Sequence, residues 1–587
     1  KSSVSTRMRW LLYESAMSSD SASRDSSAGT SDAWGTSSAS GPTGDAGAVQ
    51  LRGADVVARR LYDAGCRFAF GIPGGEVLTL MDALSNAGVR FITVRHENAG
   101  GFMAEGTYHV TGAPGVVLAT VGPGVANVVN AVANAQQDRV PLVVLTGCLD
   151  PSLTPTFTHQ VFDHQAVLAP ICKASFRLEA GAEALIVAKA ICIATEGRPG
   201  PVHIDIPMAV AETRAEDMEA WPAVSSVSRV EIDRSELASF HRGRRPLMII
   251  GNDVLHQSGT ERVRAVADRV RIPVLTTYKA KGVVDEDADY ALGAAGLSPK
   301  ADGLLLPLVR RADAVLLVGY DAIEMRAGWR FPFSPDAEVI QLDAVADTQF
   351  IHRPTRRWVG EVATLLEEVV RDYAPHEPWP AGEPGCVRSD LAEAFDPLDD
   401  DDWSARVVTS ILADLTREAR VAVDTGAHRI LASQMLCRAT PGTLHQSTGL
   451  CTMGYALPAA IGAALAGSSR PVVAVVGDGG IEMVVGELAT ARDLGVSLTV
   501  VVYDDRSLAL IEKKQRARKL ANVGVDLGPD DAFVGTDYDA IARGFGARGV
   551  TVRSGAALHR ELVASFERPG VDVITCRLSR RSYDDAI

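Results

Sequence analysis

Two predicted strands near the end of the chain finish in acidic turns, and this pattern constrains the fold more than any other. The apolar run 471–477 leads into Gly477-Asp478-Gly479, and the run 498–503, one helix later, leads into Asp504-Asp505. Short apolar runs rich in β-branched residues are typical of buried parallel strands. Because neighbouring parallel strands end at the same edge of a sheet, we expect Asp478 and Asp505 to share one crevice. Two carboxylates beside glycine amides suit Mg²⁺ that holds a diphosphate; the alternative is a doubly wound domain with acidic loops and no cofactor.

The composition is typical of a globular enzyme with several domains. The chain has 587 residues, 47% of them hydrophobic and 22% charged, which is too long for a single core. A net charge of −15 argues against nucleic acid as a partner, and no apolar run is long enough for a membrane span. The eight cysteines form no Cys-x-x-Cys pair, which argues against a zinc or disulfide framework and for the cytoplasm. Residues 1–48, rich in Ser, Ala, Gly and Asp, are predicted to be a disordered tail.

Alternating strand and helix patterns beyond the tail predict three successive α/β domains, each a doubly wound parallel sheet. We place the domains at 49–215, at 216–385 with its linkers, and at 400–587, with a Pro/Gly/Asp-rich linker at about 374–402. The predicted strands are 67–71, 89–94, 116–121, 140–146, 202–206, 247–250, 274–276, 314–318, 339–342, 420–423, 471–477 and 498–503. The first and third domains resemble each other, because in both a buried strand leads into a glycine turn.

The acidic turn near Asp478 is similar to the magnesium-diphosphate motif of thiamine-diphosphate (ThDP) enzymes, which reads Gly-Asp-Gly followed by Asn-Asn. Here Asp504-Asp505 stand in place of the two asparagines. The resemblance implies that Asp478, Asp505 and the backbone carbonyl of Ser507 hold Mg²⁺. It also implies pyrimidine-binding, central and diphosphate-binding domains in that order. Cofactor contacts are expected in the turn itself, at Gly477, Gly479, Gly480 and Ile481.

Other motifs resemble the acetolactate-synthase branch of these enzymes. Arg95-His96-Glu97, followed by Met103-Ala-Glu-Gly106, resembles the segment whose glutamate hydrogen-bonds the pyrimidine N1′ atom of the cofactor. The resemblance therefore implies a catalytic role for Glu97. Residues 449–458 are similar to the family's Gly-Leu-Gly-Thr-Met-Gly-Tyr-Gly-Leu-Pro, so Thr452 and Met453 are expected at the cofactor, with the methionine as a prop between its rings. Two further cofactor contacts follow from matching glycine motifs, at Gly74 and in the segment that contains Gly426 and His428.

The substrate side is less regular. Gln160 and Lys173 keep the spacing of a family Gln and Lys that face the substrate, and His159 is a candidate proton shuttle similar to one in a branch that includes carboxyethylarginine synthase. Glu76 stands where the synthases typically carry Ala. The family's Met-Val-x-Gln-Trp, whose Trp selects the acceptor, is missing after Asp505, so the acceptor pocket is expected to differ.

Flavin is disfavoured by the central domain, although FAD is not excluded. The flavin-binding members carry Gly-Ala-Arg there, with the arginine on the pyrophosphate, whereas this chain reads Gly319-Tyr320-Asp321. A carboxylate at that place would repel a pyrophosphate. The nearby Arg326 is the alternative partner for such a group.

We expect a cytoplasmic ThDP- and Mg²⁺-dependent enzyme that decarboxylates a 2-oxo acid, most simply pyruvate, and transfers the acyl carbanion to a second carbonyl compound. The alternatives are a decarboxylase that releases an aldehyde, a specialised carboligase similar to carboxyethylarginine synthase, and a scaffold that binds the cofactor without turnover. The family's active sites lie between subunits. A homodimer or homotetramer is therefore implied, in which Glu97 of one chain works with Asp478 of another.

Overall fold

The computed structural model describes residues 50–217, 231–257, 259–321, 327–374, 379, 381–397, 403–528 and 535–587. The tail predicted for residues 1–48 lies outside this part of the chain. Residues Leu51–Ile587 form one compact unit. None of the helices in the described ranges is long and apolar enough to cross a membrane.

Three six-stranded sheets, all parallel, form the framework. The first contains β1 Phe68–Gly71, β2 Arg90–Thr93, β3 Gly115–Ala119, β4 Leu142–Cys148, β5 Ala174–Arg177 and β6 Pro201–Pro207. The central sheet contains β7 Pro246–Ile250, β8 Val274–Thr276, β9 Ala291–Ala294, β10 Ala314–Val318, β11 Glu338–Asp343 and β12 Arg356–Val359. The third contains β13 Arg420–Val423, β14 Leu444–Gln446, β15 Val472–Gly477, β16 Leu498–Asp504, β17 Arg548–Val552 and β18 Val571–Arg577.

Helices connect the strands and cover the sheets, as parallel pairing requires. Around the first sheet they are Gly53–Asp63, Leu78–Ala87, Glu97–Thr111, Pro123–Asp138, His164–Leu168, Glu183–Thr195 and Met208–Glu212. Around the central sheet they are Ala238–His241, Asp253–His256, Thr260–Val270, Pro299–Arg311, Val362–Val369 and Glu383–Phe395. Around the third sheet they are Ala405–Leu415, Ala427–Met435, Ala456–Leu465, Asp478–Glu482, Glu487–Leu494, Ala509–Ala517, Tyr538–Gly544 and Gly555–Glu567.

The strand orders confirm the predicted fold class. The first sheet runs β2-β1-β3-β4-β6-β5 and the third runs β14-β13-β15-β16-β18-β17, which is the same order with twelve added to each label. The central sheet runs β12-β11-β10-β7-β8-β9, the order of dinucleotide-binding folds. Each sheet therefore has a switch point where neighbouring strands are connected in opposite directions: β1/β3, β7/β10 and β13/β15.

The strands that the sequence did not predict lie mostly at sheet edges. They are β5, β9, β12, β14 and β17, together with the interior strand β18. The segment expected to be a linker contains the helix Glu383–Phe395, which begins with a proline at its first turn. Its Val387 and Phe395 are buried against the core shared with the third sheet. The domain boundaries themselves stay a prediction.

Two glycines let the first and third sheets approach each other through their helices. A side-chain Cβ at Gly106 in Glu97–Thr111 would lie 2.1 Å from the carbonyl oxygen of Ala459. In the facing helix Ala456–Leu465, a Cβ at Gly462 would lie 2.0 Å from the carbonyl oxygen of Met103. Both distances are shorter than van der Waals contact, so only glycine fits at this crossing.

Asp138 ties all three sheets together at the end of helix Pro123–Asp138. Its buried carboxylate accepts hydrogen bonds from the amides of Thr448 at 3.0 Å and Gly449 at 2.9 Å. Both residues belong to the part of the chain that forms the third sheet and its helices, which we call the third region; the first region is the corresponding part around the first sheet. Lys279, which follows the central strand β8, lies 3.4 Å from the same carboxylate. The segment that leads to Met453 is therefore anchored from the first region.

A buried histidine bridges three strands of the first sheet. His203 on β6 lies 2.7 Å from the hydroxyl of Thr146 on β4 and 2.8 Å from the hydroxyl of Ser175 on β5. Thr146 donates its proton to Asp205, so it accepts from His203 Nε2, and His203 Nδ1 accepts from Ser175. Burial lowers the pKa of His203 to about 4, against the opposing charge of Asp205. The ring is therefore neutral at neutral pH.

This pKa predicts an acid-sensitive contribution to stability. The pKa of His203 in the folded protein lies below the ordinary value. The contribution of the neutral ring to the free energy of unfolding is therefore complete above about pH 6.5 and is lost as the pH falls towards 4. The unfolded chain takes up a proton that the folded chain rejects, at a cost of up to about 1.4 kcal/mol per pH unit. His203→Gln cannot take up this proton. Urea unfolding at about pH 7 and about pH 5 should therefore show a smaller loss for the variant than for the unmodified protein.

Other groups face His203, namely Asp205, His164 and Arg177, and they remain in both proteins. The difference between the two pH dependences therefore isolates the one histidine. His559→Gln, at an exposed position, controls for the substitution itself. Parallel pH dependences for the protein and its His203→Gln variant would contradict the prediction.

Candidate active site

A cavity of about 120 Å³ lies at the switch point between β13 and β15, at the carboxyl edge of the third sheet. Nine of the residues proposed from the sequence line it: Gly426, His428, Met453, Gly477, Asp478, Gly479, Gly480, Asp505 and Ser507. Tyr503, Tyr583 and residues 508–511 complete much of the wall. Every lining residue belongs to the third region, and none comes from the first sheet.

Asp478 and Asp505 are buried neighbours in this cavity. Strands β15 and β16 are paired in parallel from Val473 to Gly477, so the two acidic turns leave the same edge, as predicted. Asp478 accepts hydrogen bonds from the amides of Gly479 at 2.8 Å and Arg506 at 2.6 Å. Burial and the charge of Asp505 raise the pKa of Asp478, and burial raises the pKa of Asp505 to about 7.

The donor set fits a hard divalent cation. Burial raises the pKa of both carboxylates, and repulsion from Asp505 raises that of Asp478 further. A nearby positive charge would therefore stabilise their charged forms. Mg²⁺ is such a charge, and it prefers oxygen ligands. Among the described residues no group of three or more His, Cys, Asp or Glu side chains is arranged to hold a metal ion. A cation here would therefore also need oxygens from the backbone, from water or from a diphosphate.

Asp504, which precedes Asp505 in the chain, does not line the cavity. Its carboxylate lies 2.9 Å from the guanidinium of Arg577. Burial raises the pKa of Asp504, while the charge of Arg577 opposes the shift. The adjacent carboxylate of Asp505 instead accepts a hydrogen bond from the hydroxyl of Ser507 at 2.6 Å. Of these two adjacent acids, Asp504 therefore forms an ion pair with Arg577, whereas Asp505 lines the cavity.

Asp424 is a fully buried acceptor behind the cavity that sequence reasoning did not place in the site. It follows β13, as Asp478 follows β15. Its carboxylate accepts from the amides of Thr425 at 2.8 Å, Gly454 at 3.0 Å and Tyr455 at 3.3 Å. Burial raises its pKa to about 6. The signal was available, because an acid directly follows an apolar strand at the same sheet edge.

The same carboxylate limits the size of the glycine turn. A Cβ at Gly480 would lie 2.4 Å from Asp424 Oδ2, so a side chain does not fit there. On the other side of the turn, the methyl group of Met453 lies 3.3 Å from the Cβ position of Gly479. Asp424 therefore connects the turn that carries Asp478 with the loop that carries Met453.

His428 lies across the cavity with an unused nitrogen. Its ring stacks on Tyr503 at 5.3 Å, and a Cβ at Gly477 would lie 3.1 Å from it. Its Nε2 atom is buried and has no hydrogen-bond partner among the described residues. Burial, together with the charge of Arg429, lowers the pKa of His428 to about 3, so the ring is neutral. The open Nε2 atom therefore leaves a polar position on the cavity wall that a bound group would meet.

The first sheet brings a second group of proposed residues to its own switch point, between β1 and β3. The buried carboxylate of Glu97 accepts a hydrogen bond from Asn127 Nδ2 at 2.9 Å, and its other oxygen lies 3.4 Å from the Cβ position of Gly124. A Cβ at Gly74 would lie 2.2 Å from the hydroxyl of Thr120, which donates to Glu76 at 2.7 Å.

Gln160 packs on the same edge. A Cβ at Gly122 would lie 2.6 Å from the carbonyl oxygen of Gln160. Gln160 has a positive φ of 59°, which is uncommon for a residue with a side chain. Glu76 and Asn127 were not proposed as site residues. Nothing in the local sequence pattern identifies Asn127, because its partner Glu97 lies on another helix.

The remaining proposed residues lie elsewhere. His159 is exposed beside Gln160. The ammonium of Lys173 donates to the carbonyl of Glu196 at 2.6 Å, and burial lowers its pKa. Thr452 accepts a hydrogen bond from Asn130 at 3.0 Å, and Ile481 is buried in the core. None of these four lines the cavity of the third region.

The switch point of the central sheet is filled by charged side chains. Asp253 and Asp321 follow β7 and β10 and are buried. Arg198 lies 3.0 Å from Asp253 and 3.7 Å from Asp321, and Arg139 lies 2.7 Å from Asp321. A dinucleotide binds at this place in folds of the same strand order, but its pyrophosphate would meet two buried carboxylates here. The edge does not fit FAD, and Arg326 lies outside the described residues.

The fold and the glycine-rich sheet edge define an α/β protein of the class that binds phosphate-bearing cofactors where its strands end. Comparison with known proteins identifies the cofactor class. Three family models match: "Thiamine pyrophosphate enzyme, N-terminal TPP binding domain" at residues 51–167, the central domain at 237–369, and the C-terminal TPP binding domain at 424–576. The chain belongs to the thiamine pyrophosphate enzymes and is of the acetolactate-synthase-like type.

Similar proteins span most of the chain. Acetolactate synthase isozyme 1 large subunit of Escherichia coli (strain K12) is 29% identical over 540 residues, which cover 90% of this chain and 94% of that protein. Acetolactate synthase of Mycobacterium leprae is 31% identical over 489 residues, covering 79% and 77%. Acetolactate synthase large subunit of Parasynechococcus marenigrum is 30% identical over 559 residues, covering 91% and 89%.

Replacing Asp424 should test how the cavity is organised. Asp424→Ala leaves the amides of Thr425, Gly454 and Tyr455 without their acceptor and frees the Met453 loop. We expect ThDP to bind roughly 10- to 100-fold more weakly, measured by calorimetric titration with Mg²⁺ present. Asp414→Ala, at an exposed position, is the control and should bind ThDP like the unmodified protein. Unchanged affinity in Asp424→Ala would show that the three hydrogen bonds do not organise the site.

Proposed function

We propose that this protein is a ThDP- and Mg²⁺-dependent enzyme that decarboxylates a 2-oxo acid, most simply pyruvate, and joins the acyl group to a second carbonyl compound. The observation that carries the proposal is the buried pair Asp478 and Asp505 beside a glycine turn, in a chain of this family. Similarity to acetolactate synthases over most of the chain supports pyruvate as the donor.

The third-sheet cavity would hold the diphosphate end of the cofactor. Asp478, Asp505 and the backbone carbonyl of Ser507 would bind Mg²⁺, which neutralises the repulsion between the two carboxylates. The buried Nε2 of His428 would face the diphosphate, the amide of Gly480 would donate to its oxygens, and Gly479 would line the cavity beside them. Thr452 and Ile481 remain proposed contacts outside the cavity wall.

The middle and far ends of the cofactor need an apolar prop and a carboxylate. When bound, thiamine diphosphate supplies a thiazolium carbon that adds to the substrate carbonyl and accepts the electrons of decarboxylation. Met453 would separate the two rings of the cofactor, because a thioether adapts to an irregular gap. Glu97 would hold a proton at the pyrimidine N1′ atom. The hydrogen bond from Asn127 fixes its carboxylate, and Gly74, which packs against Thr120, remains a proposed cofactor contact at the same sheet edge.

The substrate would enter beside Gln160 and His159. Their exposed turn adjoins Gly122 at the first-sheet edge, which supports Gln160 as a hydrogen-bond partner of the 2-oxo acid and His159 as a proton shuttle. Lys173 as a partner of the substrate carboxylate receives less support, because its ammonium already donates to Glu196.

The acceptor is proposed to differ from that of the synthases. Glu76 places a carboxylate on the first-sheet edge where the synthases typically carry Ala, and the Trp-containing motif is absent after Asp505. These departures favour an acceptor other than that of acetolactate formation, and the His159-Gln160 segment makes a specialised carboligase similar to carboxyethylarginine synthase the alternative. The pairing of Asp253 and Asp321 with arginines argues against FAD as a second cofactor.

The active unit is proposed to be a homodimer or homotetramer in the cytoplasm. The diphosphate cavity is lined only by the third region, whereas Glu97 lies at the first-sheet edge and does not line that cavity. Each chain therefore supplies two half-sites, and a second chain related to the first by a twofold axis would complete both.

The proposed reaction is tested by mass spectrometry of products formed from pyruvate, ThDP and Mg²⁺, alone and with a panel of aldehyde and 2-oxo acid acceptors. We expect a carboligation product that forms with one acceptor class and only slowly from pyruvate alone. Free acetaldehyde as the main product would favour a simple decarboxylase. Acetolactate from pyruvate alone would place the chain with the synthases, and no pyruvate consumption would reject pyruvate as the donor.

The role of Glu97 predicts a separation of chemistry from binding. Glu97→Gln removes the group that holds the N1′ proton but leaves the third-region cavity intact, so turnover should fall by roughly 100-fold or more. ThDP affinity should change by less than about threefold, because the diphosphate contacts remain. Steady-state kinetics and calorimetry measure the two effects. Glu179→Gln, at an exposed position, is the control. Equal activity in Glu97→Gln would remove this residue from the mechanism.

Sites shared between chains predict complementation. Glu97→Gln and Asp478→Asn should each be inactive as pure proteins. When the two are mixed and allowed to exchange subunits, roughly half of random dimers are mixed, and each mixed dimer has one intact site. Activity should therefore recover to about a quarter of that of the unmodified protein. Sites built from a single chain would give no recovery at any mixing ratio.

A further inference from the structure

His164 and Asp205 form a buried pair next to the first-sheet edge that the proposed chemistry does not use. His164 begins the short helix His164–Leu168, and Asp205 lies on β6. The Nδ1 atom of His164 lies 3.0 Å from Oδ1 of Asp205. The histidine is 3% exposed and the aspartate 1% exposed, so neither reaches solvent or a substrate directly.

The proton of this histidine is fixed by its other contact. The backbone N–H of Gly122 points at His164 Nε2, 3.3 Å away. A backbone amide nitrogen only donates, so Nε2 is the acceptor and the proton of the neutral ring is on Nδ1, where Asp205 accepts it. The ring therefore accepts a hydrogen bond from Gly122 at Nε2 and donates one to the carboxylate of Asp205 at Nδ1.

Asp205 is itself held as a charged acceptor. The hydroxyl of Thr146 donates to it at 2.7 Å, and Arg177 approaches its other oxygen at 3.5 Å. Although burial opposes the charge, the hydrogen bonds from His164 and Thr146 lower the pKa of Asp205. A charged Asp205 keeps the Nδ1 proton in place and leaves Nε2 free to accept.

Gly122 is the point at which this pair reaches the site. It has φ 71° and ψ −107°, a conformation that favours glycine, and it caps the helix Pro123–Asp138. On one side, the backbone of Gln160 rests against it, since a Cβ there would lie 2.6 Å from the Gln160 carbonyl oxygen. On the other, the helix that it begins carries Asn127, the donor to Glu97. A shift of Gly122 would move both groups.

We propose that His164, oriented by Asp205, is a positioning residue that holds Gly122 and thereby sets the separation between Gln160 and Glu97. The inference rests on the proposed function for the roles of those two groups, but the hydrogen bond to Gly122 stands independently of any substrate. The hydrogen bond from the Gly122 amide to His164 restrains the position of this backbone. Displacements of about 1 Å in a catalytic site are enough to change a rate by roughly 100-fold.

Two substitutions separate the two ends of the ring. His164→Asn places an amide near the position of Nδ1, so it still donates to Asp205 but loses the acceptor for Gly122. His164→Gln places an amide oxygen near the position of Nε2, so it still accepts from Gly122 but loses the donor to Asp205. The two variants carry the same amide group on side chains that differ by one methylene, and they differ in which contact survives.

We expect His164→Asn to lower kcat by roughly 10- to 100-fold and His164→Gln by less than about threefold, with the KM for ThDP nearly unchanged in both. Hydrogen–deuterium exchange without substrate should show faster exchange at the Gly122 amide in His164→Asn only. The control is His203→Gln, a buried histidine of the same polar cluster that does not contact Gly122, and it should leave kcat and Gly122 exchange unchanged.

Equal kcat and equal Gly122 exchange in the two His164 variants would overturn the proposal and leave the pair a purely structural one. If His164→Asn does not fold, the unmodified protein still decides the matter, because a Gly122 amide that exchanges as fast as an exposed amide would also overturn it. The exchange measurement needs no turnover. If the protein consumes no pyruvate but His164 protects the Gly122 amide from exchange, the proposed reaction is wrong, whereas the hydrogen bond between His164 and Gly122 is supported.

Discussion

Parallel pairing of β13, β15 and β16 is the constraint on which the rest of the site depends. These strands are apolar and buried, so they end together at one edge and carry Asp424, Asp478 and Asp505 into a small space. Such an arrangement is costly, because burial and repulsion disfavour the charges. The structure offsets part of the cost with backbone amide donors to Asp424 and Asp478. What remains is a concentration of negative charge that suits a cation and a glycine surface that suits a diphosphate.

The three parallel six-stranded sheets of this chain serve different purposes. The first and third sheets share a strand order, and each presents buried acidic groups at its switch point, a carboxylate held by Asn127 in one and an acidic pair in the other. The central sheet has the order of dinucleotide-binding folds, yet its switch point is closed by Asp253, Asp321 and the arginines around them. Fold and function separate here, because the residues after each strand decide what the edge can bind.

Small residues and buried polar contacts connect these edges. Gly106 and Gly462 allow two helices to cross closely, and Asp138 anchors the loop before Met453 from the first region. Because packed interiors transmit displacement, such contacts help to fix the distances between groups at these sheet edges. Gly122 is the corresponding point in the first region, where a strand end, a helix start and the Gln160 turn meet.

The sequence by itself determined the fold class, the buried interior strands other than β18 and the presence of a diphosphate motif, because these depend on local patterns of apolar and glycine residues. It missed short edge strands such as β14 and β17, whose formation depends on a neighbour already in place, and the helix Glu383–Phe395, whose composition is typical of a linker. Only the tertiary structure decided that Asp424 supports the cavity, that Asn127 holds Glu97, and that Asp205 orients His164. Those contacts join residues far apart in the chain, and no local pattern records which distant partner satisfies a buried polar group.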